Sequence, residues 1–385
     1  MSWSSKPHRA SFLAIVLITI GAAIASSPAW PDVEEARLGQ ARARIPEIAA
    51  RYADLAERLG SDLATASSNS GAQATADAAA ELWQQARHDV QRGATDDRAL
   101  YWGRLALRET VANSSPADEH EQLLAIVEHH ARGHADAAFP DDARTRVLVT
   151  GFDPFHLDQD IDQSNPSGLA ALSLDGTTLQ IGNRRAHIEA AMFPVRFDVF
   201  DNGMIEDFLT PHYRHDELSL VATVSMGRDE FDLERFPGRR RSAESTDNAN
   251  VLTGASDNNP LVPMLNGRPL AGPEFVEFSL PVAAMIRASG GWTIRDNRNV
   301  QTLESGALEA SSLSQMLGET AVRGSGGGYL SNEISYRSIR LRNQLGLRFP
   351  IGHIHTPSVR GYHETDERRI VAQIRRMLEH AISVL

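Results

Sequence analysis

Three polar residues that lie far apart in the sequence are the candidates for chemistry. Ser331 follows the glycine-rich run 324–328 and stands where a helix is predicted to begin, whereas His355 ends a predicted strand and Glu234 follows another. N–H groups at a helix N-terminus stabilise a developing oxyanion. Imidazole is a general base for a serine hydroxyl, and a carboxylate orients that imidazole. The sequence therefore predicts a serine–histidine–glutamate site, with the backbone N–H groups of Gly328 and Ser331 as oxyanion donors.

Each of these residues also has a structural interpretation. Serine is among the commonest helix N-caps, and a glycine-rich loop is often simply flexible. Glu234 ends the segment 229–234, which has four carboxylates and is consistent with a solvated acidic loop. We interpret His353, two residues before His355, as a packed or surface residue on the opposite face of its strand. Both kinds of interpretation stay open at this level.

The composition excludes several classes of chemistry. The chain of 385 residues has no cysteine, and its only lysine is Lys6, so thiol nucleophiles, disulfides and lysine-based sites are excluded. With 38 Lys+Arg against 50 Asp+Glu, the formal net charge of -12 argues against binding to nucleic acid. The histidines His129, His130 and His134 lack the spacing of metal ligands. We predict no metal and no cofactor.

Hydrophobic patterning predicts the elements that position these residues. Short apolar runs at 147–151, 218–224 and 349–355 indicate buried strands, and Thr365–Leu385 has the spacing of an amphipathic helix that Thr365 could cap. Residues 33–140 read as helices, with a Ser/Ala/Asn/Gln-rich linker at 66–76. We predict an α/β fold, a three-layer sandwich with a largely parallel twisted sheet, preceded by a small helical region.

The predicted domain organisation begins with a leader. Lys6, His8 and Arg9 precede an apolar run from Phe12 to Ala25, which is typical of a secretory signal peptide. The alternative is an uncleaved membrane anchor, although the run is shorter than the roughly 20 residues that span a bilayer. We expect 1–25 to be the signal peptide, 26–143 the helical region and 144–385 the α/β domain. The mature protein is then periplasmic or extracellular and does not bind a membrane.

Several segments of the chain together resemble pyroglutamyl peptidase I, also called pyrrolidone-carboxylate peptidase. The resemblance covers about 145–360, and no single segment is as specific as the ordered set. In order, the segments are TGFDPF at 150–155 with NPS at 165–167, FPVRF at 193–197, GR and ER within 227–235, GP and FSLPVAAM within 272–285, GYLSN at 328–332 and GHIHTP at 352–357.

The resemblance implies a hydrolase that removes an N-terminal pyroglutamyl residue from a peptide with a blocked N-terminus. It implies that His355 is the base and Glu234 the orienting acid, while Ser331 falls where the family has its nucleophilic cysteine. Phe152 and Phe155 match aromatic residues implied to line the lactam pocket. The substrate-binding residues expected on this basis are Phe152, Phe155 and Asn165.

The chain departs from the family pattern at several positions. A serine hydroxyl replaces a thiol at Ser331 and needs a base during attack. Val224 replaces a glutamine implied to bond the lactam, so we expect no preference for pyroglutamyl over prolyl substrates. Glu244 replaces a cation, and 299–320 resembles an insertion that could cover the site. The alternative function is a catalytically inactive relative that binds a peptide or a protein through the same cleft.

Overall fold

The structure is a computed structural model that describes residues 32–288 and 290–385. The predicted signal peptide, 1–25, lies outside the described residues. Within the described part of the chain, no helix is both long and apolar enough to cross a membrane.

The described chain alternates helices and strands after an all-helical start. The helices are α1 (Val33–Ala36), α2 (Leu38–Arg44), α3 (Pro46–Ala49), α4 (Ala53–Leu63), α5 (Ser68–Gln91), α6 (Arg98–Ser114), α7 (His120–His130), α8 (Pro166–Leu174), α9 (Phe197–Asp201), α10 (Met204–His215), α11 (Val282–Met285), α12 (Leu330–Gln344) and α13 (Glu364–Ile382), with a 3-10 helix at Leu313–Met316. The strands are β1 (Thr145–Phe152), β2 (Thr177–Ile181), β3 (Arg184–Phe193), β4 (Leu220–Met226), β5 (Phe231–Glu234), β6 (Met264–Leu265), β7 (Arg268–Pro269), β8 (Ile294–Asn297), β9 (Asn299–Thr302), β10 (Gly306–Glu309), β11 (Ala321–Arg323) and β12 (Ile351–Thr356).

A seven-stranded sheet forms the centre of the molecule, in the order β2-β3-β1-β4-β12-β5-β8. Strands β3, β1, β4 and β12 are parallel neighbours, and β8 is parallel to β5. Only β2 against β3 and β5 against β12 pair antiparallel within this sheet. Helices α8 and α13 cover one face, and α10 and α12 cover the other. The predicted α/β fold with a largely parallel sheet is therefore confirmed.

The three predicted strands correspond to β1, β4 and β12, shifted by one or two residues at their ends. Almost every residue of these strands is buried, as expected for parallel strands covered on both faces. Helix α13 buries the predicted stripe that includes Ile370, Ile374 and Met377. It begins one residue earlier than predicted, with His363 rather than Thr365 at the N-cap, so the predicted cap was wrong.

The helical region packs directly on the α/β part of the molecule. The predicted linker at 66–76 was wrong, because α5 begins at Ser68 and continues through that segment. Its N-terminus is closed by a hydrogen bond from the Ser67 backbone N–H to the Ser70 Oγ atom, 2.8 Å away. Farther along α5, the buried indole of Trp83 donates to a carboxylate oxygen of Asp175 at 3.1 Å. A single hydrophobic core joins the two parts.

The segment 299–320 forms a small structural unit beside the main sheet. Strands β9, β10 and β11 make a three-stranded antiparallel sheet. Val300, Ala310 and Met316 pack with Phe236 in a hydrophobic cluster of their own. This unit leads through β11 into the glycine-rich loop that precedes α12.

Candidate active site

Glu234 and His355 meet at adjacent strands of the central sheet. Strand β5 runs antiparallel to β12, and the His355 Nδ1 atom lies 2.5 Å from the Glu234 Oε1 atom. Only 1% of the Glu234 side chain and 12% of the His355 side chain are exposed. Glu234 is the last residue of β5 and not part of a solvated loop. A carboxylate bonded to Nδ1 leaves Nε2 as the nitrogen available to act as a base.

Asn297 fixes the second oxygen of Glu234. The Asn297 Nδ2 atom donates to Glu234 Oε2 at 2.9 Å and to the Ser325 carbonyl at 2.9 Å. Burial raises the pKa of Glu234, and the bond to His355 partly opposes this rise. Asn297 thus connects the carboxylate to the glycine-rich loop.

The glycine-rich loop is held in one conformation by hydrogen bonds. The Ser325 Oγ atom accepts from the Phe236 N–H at 2.8 Å, and the Asn332 side chain bonds both the N–H and the carbonyl of Gly238. At Gly327 the backbone has φ +89°, a conformation that favours glycine. This loop is therefore a built element and not a flexible connection.

Close packing leaves no room for a side chain at Gly328. A Cβ atom there would lie 2.0 Å from the Ser242 Oγ atom, and the Gly328 carbonyl accepts the N–H groups of Ser242 and Ala243. Among the hydrogen bonds of the described residues, none uses the N–H of Gly328 or of Ser331. These two predicted oxyanion donors therefore remain free to donate.

Ser331 lies at the second position of α12 and lines the same cavity as His355. That cavity has a volume of about 380 Å³ and is also lined by Glu234 and the exposed Glu244. Within the described part of the chain, the one hydrogen bond of the Ser331 hydroxyl is a long one to the Gly326 carbonyl, 3.4 Å away. The structure thus joins the imidazole to the carboxylate but does not join the hydroxyl to the imidazole.

A second, smaller pocket of about 40 Å³ also reaches Ser331. The residues that line it are Phe152, Phe155, Asn165, Val195, Ser225, Met226, Tyr329, Leu330 and Ser331. The three predicted substrate-binding residues therefore share one pocket with the predicted nucleophile. The amide of Asn165 is already used, because its oxygen accepts from Ser167 and its nitrogen donates to the Asp153 carbonyl. Asn165 shapes the pocket as the N-cap of α8.

The interpretation of His353 as lying on the opposite face from His355 was wrong. Residues two apart on a strand point to the same side, and the two rings are 4.8 Å apart between centroids. His353 is fully buried between the Thr223 and Ser225 hydroxyls, each 2.8 Å from a ring nitrogen. Burial holds the pKa of His353 well below its usual range, so the ring is neutral.

Asn297 and Ser225 were not predicted from the sequence, whereas Val224 was expected to affect recognition of the lactam. Val224 is fully buried and lines neither cavity, whereas Ser225 lines the small pocket. The alternation of strand β4 was a usable signal for Ser225, because its side chain must lie on the same face as Thr223. No sequence signal singles out Asn297, which ends a short strand. In the described part of the chain, no three His, Asp or Glu side chains are grouped to hold a metal ion.

Both the helical region and the α/β part of the chain are similar to known proteins. Residues 146–271 and 309–360 match the family model described as PA0049, C-terminal domain, and residues 20–127 match the PA0049 N-terminal domain. The uncharacterized protein PA0049 of Pseudomonas aeruginosa strain PAO1 is 25% identical in an alignment that covers 72% of this chain and 67% of that protein.

Solved structures from Pyrococcus furiosus are among those that match. A mutant pyrrolidone carboxyl peptidase from that organism matches with a TM-score of 0.44 and 20% identity, covering 63% of this chain and all of that one. The structures of that enzyme and its cysteine-free mutant match with a TM-score of 0.43 and 19% identity, covering 62% of this chain and 99% of that one. The chain is thus similar to PA0049 in both its helical and its α/β parts.

Proposed function

We propose that this protein is a peptidase-like serine hydrolase that removes an N-terminal pyroglutamyl or similarly blocked residue from a peptide. The observation that carries the proposal is the 2.5 Å bond between His355 and Glu234 in the cavity that Ser331 also lines. The bond orients Nε2 as a base, and the helix N-terminus supplies donors beside the hydroxyl. The apolar leader sequence at 1–25 supports the further proposal that the enzyme acts outside the cytoplasm.

The reaction begins with a rotation of the Ser331 hydroxyl away from the Gly326 carbonyl and towards His355 Nε2. The Ser331 Oγ atom then attacks the carbonyl carbon of the blocked residue, and its proton passes to Nε2. The N–H groups of Gly328 and Ser331 stabilise the oxyanion. The C–N bond breaks, and His355 returns the proton to the leaving amine. Water then attacks the acyl ester with His355 as the base, and the free acid leaves.

Fluorophosphonate labelling tests the proposed nucleophile. We expect the mature protein to form one covalent adduct, and we expect Ser331→Ala to abolish it because the proposed mechanism activates the Ser331 hydroxyl alone. The matched control is Ser245→Ala, since Ser245 lines the same cavity and its hydroxyl donates to the Thr246 carbonyl at 3.5 Å. Labelling that survives in Ser331→Ala contradicts the proposal.

The second candidate function is a binding module without catalysis. The hydrogen bond from Ser331 to the Gly326 carbonyl favours this candidate, because the hydroxyl then has no contact with the base. An unlabelled wild-type protein that still binds a pyroglutamyl peptide in calorimetry would support the binding module.

A further inference from the structure

Besides Ser331, three polar side chains line the small pocket, and they differ in what their hydrogen bonds hold. Asn165 uses its amide to cap α8 and to hold the Asp153 carbonyl. The Tyr329 hydroxyl donates to the Thr246 carbonyl at 2.8 Å. Ser225 is different, because within the described part of the chain its hydroxyl bonds no backbone group and has one partner, the Nε2 atom of the buried His353. Its second acceptor position is left for whatever enters the pocket.

His353 sets the direction of that hydrogen bond. The Thr223 Oγ1 atom lies 2.8 Å from His353 Nδ1 and 3.4 Å from the Gly352 carbonyl oxygen, and the arrangement that uses both contacts has the hydroxyl donating to the carbonyl and accepting from Nδ1. A neutral imidazole that donates from Nδ1 must accept at Nε2. In this arrangement the Ser225 hydroxyl donates its proton to Nε2, and only its lone pairs remain for a ligand. Ser225 faces the pocket as an acceptor.

We propose that Ser225 is the specificity-determining residue of the small pocket, accepting a hydrogen bond from an N–H group of the bound acyl residue, and that His353 is its positioning residue. This inference rests on the proposed function for the identity of the acyl residue. The rest of the pocket is built largely of Phe, Val, Met and Leu side chains, so an acyl group that offers an oxygen in place of the N–H would face the Ser225 lone pairs without a partner. Cyclic residues with a ring N–H are thereby selected over their oxygen analogues.

A binding measurement tests this inference without requiring catalysis. The probes are L-pyroglutamamide and the matching lactone amide, in which the ring oxygen replaces the N–H. We expect the lactam to bind about tenfold more tightly than the lactone, both in the wild type and in Ser331→Ala. Ser225→Ala should weaken lactam binding by about the same factor and leave the lactone unchanged. Val195→Ala is the matched control, because Val195 lines the same pocket and should weaken both probes equally.

His353→Phe tests the positioning role of His353, because a purely structural role predicts no gain in affinity for the lactone. Without Nε2 as its acceptor, the Ser225 hydroxyl can turn its proton towards the pocket, so the lactone should bind more tightly than it does in the wild type. Equal binding of the two probes by the wild type, or unchanged discrimination in Ser225→Ala, overturns the inference. Failure of the proposed function is a separate result. If Ser331 is not labelled but the protein still binds the lactam more tightly than the lactone, the proposed function fails and this inference is supported.

Discussion

Replacing Glu234 by glutamine should lower kcat for a pyroglutamyl anilide by about 10³–10⁴-fold, because a neutral amide no longer fixes the tautomer of the base. The glutamine NH₂ group can donate to His355 Nδ1, and Nε2 then carries the proton and cannot accept one from Ser331. The loss should appear in kcat far more than in KM, since Glu234 does not touch the proposed acyl pocket.

Stability separates this catalytic loss from misfolding. Burial raises the pKa of Glu234 in the folded state, so the unfolded chain releases this proton at a lower pH. Raising the pH between those two pKa values therefore lowers the free energy of unfolding, and ionised Glu234 costs stability at neutral pH. Glu234→Gln should unfold at the same or a higher temperature than the wild type. Asp296→Asn is the matched control, because Asp296 lies on the neighbouring strand β8, pairs with Arg235 and lines neither cavity, so it should leave kcat nearly unchanged.

Replacing Arg132 by methionine should lower the free energy of unfolding by roughly 3–5 kcal/mol, because it removes one of the two guanidinium groups that pair with the buried Asp153 carboxylate. The Arg132 side chain is 1% exposed; its Nε atom donates to Glu128 at 2.6 Å, and its NH1 atom forms an ion pair with Asp153 at 2.7 Å. Arg104 approaches the same Asp153 oxygen at 3.3 Å. Urea unfolding measures the loss.

The control for this prediction is an exposed ion pair in the same helical region. Arg42→Met removes the ion pair with Glu109, in which both side chains are more than a third exposed. This change should alter the free energy of unfolding by about 0–1 kcal/mol. Similar losses in the two variants would contradict the account of the buried network.

Because Asp153 follows Phe152 directly, Arg132→Met should also weaken binding in the small pocket. Weaker binding of L-pyroglutamamide by Arg132→Met in calorimetry would show that the helical region supports the proposed site through Asp153, and unchanged binding would contradict this.

The order of the strands and the position of the site follow from the sequence to a considerable extent. Fully apolar runs can lie only in a sheet covered on both faces, and the ends of such strands lie at one edge. That reasoning puts His355 near Ser331 without coordinates. The same pattern does not predict the antiparallel strand β5, because this strand has only four residues and their polarity is mixed. Glu234 was therefore expected in a loop although it ends a strand.

The remaining differences come from contacts that local patterns do not encode. The segment 66–76 lacks large apolar residues, yet it is helical because alanine favours helices and Ser67 closes the N-terminus. The roles of Asn297 and Ser225 depend on neighbours from other strands. The direction of the Ser331 hydroxyl is likewise a three-dimensional property, because the competing acceptor is the Gly326 carbonyl of the loop.

The most direct test of the central claim is a double-mutant comparison of Ser331→Ala, His355→Ala and the variant that carries both. The claim is that the hydroxyl and the imidazole act as one catalytic unit, and residues that act as a unit lose activity non-additively. With a pyroglutamyl anilide as substrate, the account predicts that all three proteins fall to the same residual kcat. Losses that multiply in the double variant would mean that Ser331 and His355 contribute independently, and that result would contradict the account.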